Sequence, residues 1–492
     1  MKTKTNLLAA VCFAFCCLTA NARQVNCGSH SHSKDENTCH LSSAVEQERV
    51  RLRDSILTNI SGAKIAEKTL LISRLGAKND GKTDCRAAFA KAIRKASAMK
   101  GAKIVVPAGT YYIKGPIVLA SNVCIELQKG ATLKFAPDEK YYPVVSTSWE
   151  GTFLYNYSPF IYGYGCHDVA IIGEGTIDGN AMTTFAQWRP KQKLDKDLSR
   201  KMNHEEVALK DRQFGKGHWL RPQLMQLYNC QGVTFEGVKI TNSPFWCVHL
   251  LKSENIICRN LRYDAKLVNN DGIDPECSRN VLIEGVEFNN GDDNVAIKSG
   301  RDNDGWNAKM PSENIIIRNC HFKGLHAVVI GSEMSAGVRN VIVEDCDYAG
   351  YCKRGIFIKT NPDRGGFVEN VYVKNCSFDE VEDLFYVTSR YAGEGQDNHH
   401  FSTIRNIFID GLKCNTVKQA ALVLQGTEAK PVFNVMFNNV DVAKAKIGLS
   451  FENALDVNIS SSHIGGKVGT PTTVTPQDNL FSLGKYVFFI SD

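Results

Sequence analysis

The sequence predicts an all-β fold, a right-handed single-stranded parallel β-helix closed at its N-terminal end by a helical cap. Short apolar strand openers recur 22 to 36 residues apart: Gly232-Val233-Thr234-Phe235, Asn255-Ile256-Ile257-Cys258, Asn280-Val281-Leu282-Ile283, Asn314-Ile315-Ile316-Ile317, Asn340-Val341-Ile342-Val343, Asn370-Val371-Tyr372-Val373, Asn406-Ile407-Phe408-Ile409, Asn434-Val435-Met436-Phe437 and Asp456-Val457-Asn458-Ile459. A period of that size, built on β-branched strands rather than helix-length segments, marks a solenoid whose coils bury their inward faces only by stacking. The Asn before each strand tolerates left-handed backbone and hydrogen-bonds locally, so a stacked Asn ladder with a structural role is expected. Four cysteines, Cys258, Cys320, Cys346 and Cys376, fall at or just after a strand. That regularity predicts stacked, reduced core thiols rather than disulfides.

Taken in order, residues 1–22 carry Lys2 and Lys4, an apolar run from Leu7 to Leu18 and a small-residue exit at Ala20-Asn21-Ala22. This is the pattern of a cleaved signal peptide, so a secreted or periplasmic location is expected. Phe15 before Cys16 argues against a lipid anchor. Residues 23–69 form an N-terminal extension. Its Cys27-Gly28-Ser29-His30-Ser31-His32 and Cys39-His40 match no zinc spacing, leaving an exposed tail or a local Cys27–Cys39 disulfide. Val45, Val50, Leu52 and Ile56 among charges predict an amphipathic helix over residues 43–57 that leads into the repeat. After a turn-rich segment at 76–84, Ala87, Phe89, Ala92, Ile93 and Ala96 form one stripe of a second helix, residues 85–99, the cap that a solenoid end needs. The β-helix domain spans 70–465, and residues 466–492 are a C-terminal tail. A charged insert at 183–217, with Trp188, Arg189 and Arg212, interrupts the repeat where a wall could close a groove, with plain surface elaboration an equal alternative. No later apolar run reaches the roughly 18 residues of a membrane span. The formal charge is +6, and removing the two leader lysines leaves +4. That is too mild to argue for nucleic acid and suits a polyanionic substrate.

Between Asn269 and Lys359 the repeat carries polar signatures: Asn269-Asn270-Asp271-Gly272-Ile273-Asp274, Gly291-Asp292-Asp293, Gly324-Leu325-His326 and Arg354-Gly355-Ile356-Phe357-Ile358-Lys359. Aligning the strands that follow stacks Asp271, Asp293, His326 and Arg354 in one column. Period-two alternation then sends Val295, Ile297, Val328, Ile330, Ile356 and Ile358 to one face and Ala296, Lys298, Val329, Phe357 and Lys359 to the other, the expected cleft floor. Clustered acids make glycosidic hydrolysis the first chemistry to test, because it needs one carboxyl to protonate a leaving oxygen and another to activate water. Gly-Asp-Asp alone is common in loops, and a lone His in a turn is usually structural. Their alignment with Asp271 favours catalysis.

Across roughly residues 70–465 the chain resembles glycoside hydrolase family 28, the polygalacturonases, which are pectin-lyase-like solenoids. The resemblance rests on residues 76–84, Val106-Pro107-Ala108-Gly109-Thr110-Tyr111, Gly173-Glu174-Gly175-Thr176-Ile177-Asp178-Gly179, Asn242-Ser243-Pro244-Phe245-Trp246 and the four polar signatures. It implies inverting hydrolysis of α-1,4-linked galacturonic acid in pectin, with Asp292 as general acid and Asp271 and Asp293 positioning and deprotonating water. One of three nearby carboxylates is expected to keep its proton. His326 falls at the family's histidine, beside the acids, and Lys359 at the lysine that neutralises a galacturonate carboxylate. Where the family commonly reads Arg-Ile-Lys, this chain has Phe357-Ile358-Lys359. Arg354 is the expected compensating cation, and Phe357 is expected on the cleft floor, making its subsite tolerant of a neutral or substituted sugar. Asn270 stands where Thr is common. Tyr391 and His249 are further substrate-contacting candidates, with packing an equal alternative for each.

Closure by the insert would favour exo action. The resemblance implies no cofactor and no metal; the expected partner is pectic polysaccharide or oligogalacturonide, with no nucleic acid, for a monomer. Two rivals remain: a pectate-lyase-like enzyme cleaving by β-elimination with Ca²⁺ and a basic residue, and a non-catalytic glycan-binding β-helix. The second has no reason to align Asp271, Asp292 and Asp293.

Overall fold

A computed structural model describes residues 33–392, 396–468 and 481–483, with side chains over 43–392 and 396–466. The leader at 1–22, the Cys27–Cys39 pairing and most of the tail at 466–492 lie outside the described residues. Coil stacks on coil through parallel strands, and the antiparallel exception among them is a hairpin, Val144–Trp149 with Thr152–Tyr157. The openers meet in register: Val233, Ile256, Val281, Ile315, Val341, Val371, Ile407, Val435 and Val457 form one continuous inward row. All are buried. Each such side chain contributes about 1.5–3 kcal/mol of transfer free energy, available only once the next coil covers it.

The Asn ladder forms as expected. Asn255, Asn280, Asn314, Asn340, Asn370, Asn406 and Asn434 all sit at φ between 55° and 59°. From Asn280 onward each side-chain amide donates to the Oδ1 of the Asn one coil earlier, at 2.9–3.3 Å. The repeat cysteines are free and buried. Cys320, Cys346 and Cys376 stack two residues beyond the aligned Arg318, Glu344 and Lys374, whereas Cys258 lies within its strand beside Ile283.

Two helices cover the solenoid. Helix α1 (Ser33–Asn59) begins ten residues before the expected start. It lies along the outer face of the coils instead of leading end-on into them. Val45, Leu52 and Ile56 pack on Leu282, Ile316, Ile342 and Tyr372, and buried Arg49 pairs with Glu46 and Glu344. Helix α2 (Arg86–Ala98) is the cap, burying Ala88, Phe89, Ala92, Ile93 and Ala96. Ala88 takes the place expected for Ala87, which is exposed. The insert supplies helix α3 (Lys193–His204), which packs on a short helix α4 (Asp302–Ala308). Trp188 is buried in the core, and Arg212 is buried against Asp304 at 2.7 Å. No helix among the described residues is long and apolar enough to cross a membrane.

Candidate active site

The column expected from the sequence is present. Asp293, His326, Arg354 and Asp383 are register partners on successive coils. Ile273 pairs with Val295, which sets Asp271 beside Asp293. Alternation does the rest: Val295, Ile297, Val328, Ile330, Ile356 and Ile358 join the main core, while Ala296, Val329 and Phe357 form a separate cluster on the other face.

Asp292 and Asp293 are neighbours in sequence with opposite surroundings. Asp292 Oδ2 accepts from the Asn269 backbone N at 3.2 Å and Nδ2 at 3.4 Å, and faces the pocket. Asp293 is buried, with Oδ1 2.5 Å from His326 Nδ1 and Oδ2 3.2 Å from Lys359 Nζ. Burial and the Asp293 charge push the Asp292 carboxyl above its ordinary value. Burial acts on Asp293 too, but Lys359, His326 and Lys298 outweigh it and hold that carboxyl far below. Pairs whose environments split their proton affinities this way are how one site holds an acid and a base together. Asp271 is pushed well up by burial and by Asp274, Asp292 and Asp293. Lys298 balances this acidic floor: its Nζ lies 3.3 Å from Glu333, 3.8 Å from Asp274 and 3.9 Å from Asp271, over the Trp246 ring.

The acids open into a pocket of about 330 Å³, at the small end of ligand sites. One side is walled by the hairpin tip. Arg301 donates through its backbone N to the Gly151 carbonyl at 2.9 Å and through Nε to the Glu150 carbonyl at 2.8 Å. Gly151 sits at φ 82°, and a Cβ there would meet Arg301 N at 2.9 Å, so the tip can dock this closely only as glycine. Helix α3 adds Arg200 and Lys196, 3.0 and 3.7 Å from Glu150. It is pinned by His204 to Asp302 at 2.9 Å and by Asn203 Nδ2 donating to the Arg301 carbonyl at 3.0 Å. Tyr391, Ala392 and Lys359 also line the pocket.

Three expected substrate contacts are corrected. His249 does not line the cleft: it is fully buried, with Nδ1 2.9 Å from Gln226 and Nε2 2.7 Å from Glu276. Phe357 faces the cleft side but is only 3% exposed, stacked on Tyr386 and covered by Arg354, whose guanidinium lies 4.9 Å from its ring. Arg354 is itself 3.3 Å from Asp383 and does not line the pocket, so it supplies no replacement cation there. Asp271, Asp292, Asp293, Lys359 and Tyr391 do line it, and His326 reaches it through Asp293. Sequence reasoning missed Glu150, Lys196, Arg200 and Glu333, and placed Lys298 on the cleft face without a role. Donor atoms of Asp292, Asp293 and His326 lie within 4.8 Å of one another, the spacing of a metal site. The Asp293 oxygens are already taken up by His326 and by the Lys359 ammonium, and Lys298 lies near Asp271. A divalent cation would face both lysines, so the donor set fits proton transfer better.

A parallel β-helix that splits two adjacent carboxyls into acid and base above a cation-balanced floor is a glycoside-cleaving solenoid. The chain belongs to the glycosyl hydrolases family 28, whose sequence model matches residues 96–461. It is 30% identical over 391 residues to a probable polygalacturonase of Vitis vinifera, covering 75% of this chain and 74% of that protein. The exo-poly-alpha-D-galacturonosidase of Dickeya chrysanthemi is 25% identical over 453 residues, 83% of this chain and 74% of the relative. The crystal structure of a hyperthermoactive exopolygalacturonase from Thermotoga maritima matches with a TM-score of 0.78 at 36% identity, covering 84% of this chain and 96% of that one. The protein is a polygalacturonase-like glycoside hydrolase.

Proposed function

We propose that the enzyme hydrolyses α-1,4-linked galacturonic acid in pectic polysaccharide from a chain end, with inversion, as a secreted or periplasmic monomer. The observation that carries this reading is the oppositely shifted Asp292–Asp293 pair in a walled pocket edged by Lys196, Arg200, Lys298 and Lys359. Asp292 gives its proton to the glycosidic oxygen as the bond to the anomeric carbon breaks. Water attacks that carbon from the opposite face and loses its proton to ionised Asp293. Asp271, whose carboxyl is pushed well up, positions the water rather than deprotonating it, and His326 and Lys359 keep Asp293 charged. The lysines and Arg200 meet substrate carboxylates, and the exposed Tyr391 ring offers an apolar face to sugar. Exo action is supported by the hairpin and α3 at the pocket's end, where an open groove would let a polymer run through.

Product profiling on a size-defined oligogalacturonide, with proton NMR of the first product, tests the whole reading. The expected result is a single short product from the start, released as the β-anomer. An early ladder of intermediate lengths would mean endo cleavage. An initial α-anomer would mean retention, and an unsaturated, ultraviolet-absorbing product would mean elimination.

A further inference from the structure

The hairpin that walls the catalytic pocket has a second surface at its base. There Pro143, with Pro116, Ile117 and Val118, faces the exposed side of cap helix α2 across a cavity of about 480 Å³. Arg86 and Arg94, two turns apart on that side, line it with Ala87 and Ala90 between them. Their spacing of eight residues puts their Cα atoms about 12 Å apart along the axis. Neither guanidinium has a hydrogen bond or ion pair among the described residues. Helix α2 also carries Lys91 and Lys95 and no acidic residue. The nearby acid, Asp84, is occupied by the backbone N–H groups of Arg86 and Lys114. The apolar floor is open: Val118 is 55% exposed. It pairs in register with Tyr162, and two residues further along that strand Tyr164 is also 55% exposed, edge-on to Tyr228 at 4.9 Å.

Unpaired cations above an open apolar and aromatic shelf suit a carboxylated sugar chain, whose carboxylates meet guanidinium forks while its ring faces lie on proline, valine and tyrosine. We propose that this surface is a second, non-catalytic binding site for galacturonan, an inference that rests on the pectic substrate reading above. The six-residue strand Val144–Trp149 separates it from the hairpin tip, a span of about 20 Å. A pocket that accepts only a chain end finds few ends in a long polymer. Holding the same polymer nearby raises the local concentration of ends without touching the chemistry.

The test measures kcat/KM on trigalacturonate and on long polygalacturonate for the wild type and for Arg86→Ala/Arg94→Ala. Polymer binding is measured separately on Asp292→Asn with and without the two arginine changes, with dextran as the neutral control. We expect the double variant to lose about tenfold on the polymer, below the roughly 10²–10⁴ that well-matched linked sites give, and nothing on the trimer. Arg86→Lys/Arg94→Lys should keep most of the polymer preference. The difference should shrink toward 1 M salt, where the screening length falls to about 3 Å. An unchanged polymer-to-trimer ratio overturns the second site. So does a lower Tm at an unchanged ratio, which would assign the arginines to packing against another segment of the chain. A wild type that cleaves neither substrate would overturn the functional reading instead, and polymer binding that survives loss of the arginines would overturn this one.

Discussion

Two polar columns run along this solenoid, one residue per coil in each, and they are built on opposite rules. In the Asn column every member is the same, every link is the same hydrogen bond, and the backbone sits at the same φ. In the cleft column Asp271, Asp293, His326, Arg354 and Asp383 mix carboxylates with an imidazole and a guanidinium. Its surroundings also leave buried polar atoms without a hydrogen-bond partner, among them Asp271 Oδ1, both Asp274 oxygens and His326 Nε2. Identical neighbours satisfy one another, so the first column stabilises and has nothing left over to react with. Unlike neighbours shift one another's proton affinities, so the second is a strained electrostatic arrangement that substrate and water can complete.

If the contrast holds, changes in the two columns should have separate signatures. The largest effect is expected from Asp292→Asn, which should lower kcat by about 10² to 10⁴ while raising Tm at pH 7. The sign follows from linkage: the Asp292 carboxyl lies above its unfolded value, so its contribution is present at low pH and lost as pH rises through the folded value. Asparagine has no proton to lose. Calorimetry and an activity assay on one preparation check both; near-normal turnover removes Asp292 from the acid role. Next comes His326→Gln, which should lower kcat/KM and move its acid limb to higher pH, because Asp293 loses a group that holds it ionised. Stability that Asp293 contributes above its unfolded value, and loses as pH falls through its folded value, should diminish as well. A pH profile with an unmoved acid limb would detach His326 from the base.

On the other column, Asn340→Ala removes two ladder bonds and leaves alanine at φ 58°, together about 2–3 kcal/mol. Denaturant unfolding should show that loss with kcat/KM unchanged, and a matching loss of activity in the folded protein would blur the distinction drawn here. The smallest effect is expected at Phe357, between the two extremes. Phe357→Leu should cost about 1–2 kcal/mol through its ring stack and leave the preference between plain and substituted oligogalacturonides untouched. A shifted preference would return Phe357 to the substrate.

What the sequence disclosed follows the same division. Asp271, Asp292, Asp293, His326 and Lys359 were legible because each is placed by the repeat, and the Asn positions revealed the repeat. His249 was a candidate contact on the strength of its place after Trp246, and the sequence carried no information about what lies over it. Ser148, from the hairpin, stands 3.4 Å from Glu276, and Thr147 bonds Gln226, so an element about a hundred residues earlier in sequence helps bury the histidine. Glu150, Lys196, Arg200 and Glu333 were hidden for a related reason. They belong to the hairpin, the insert and a strand-end turn, where no period exists to align them. The insert was open to either a wall or a surface elaboration, and its named residues misled: Trp188 and Arg212 turn inward while α3 presents Lys196 and Arg200 to the pocket.

The wall at Gly151 has a consequence for the material the enzyme meets. If the enzyme cleaves from chain ends, as proposed above, it counts molecules rather than bonds. A pectin solution should therefore stay thick while reducing sugar accumulates, since trimming ends barely shortens the average chain. For the same reason the rate per gram of polysaccharide should climb as other activities fragment it, and exo action would make this enzyme a finisher of partly degraded pectin more than an opener of intact gels.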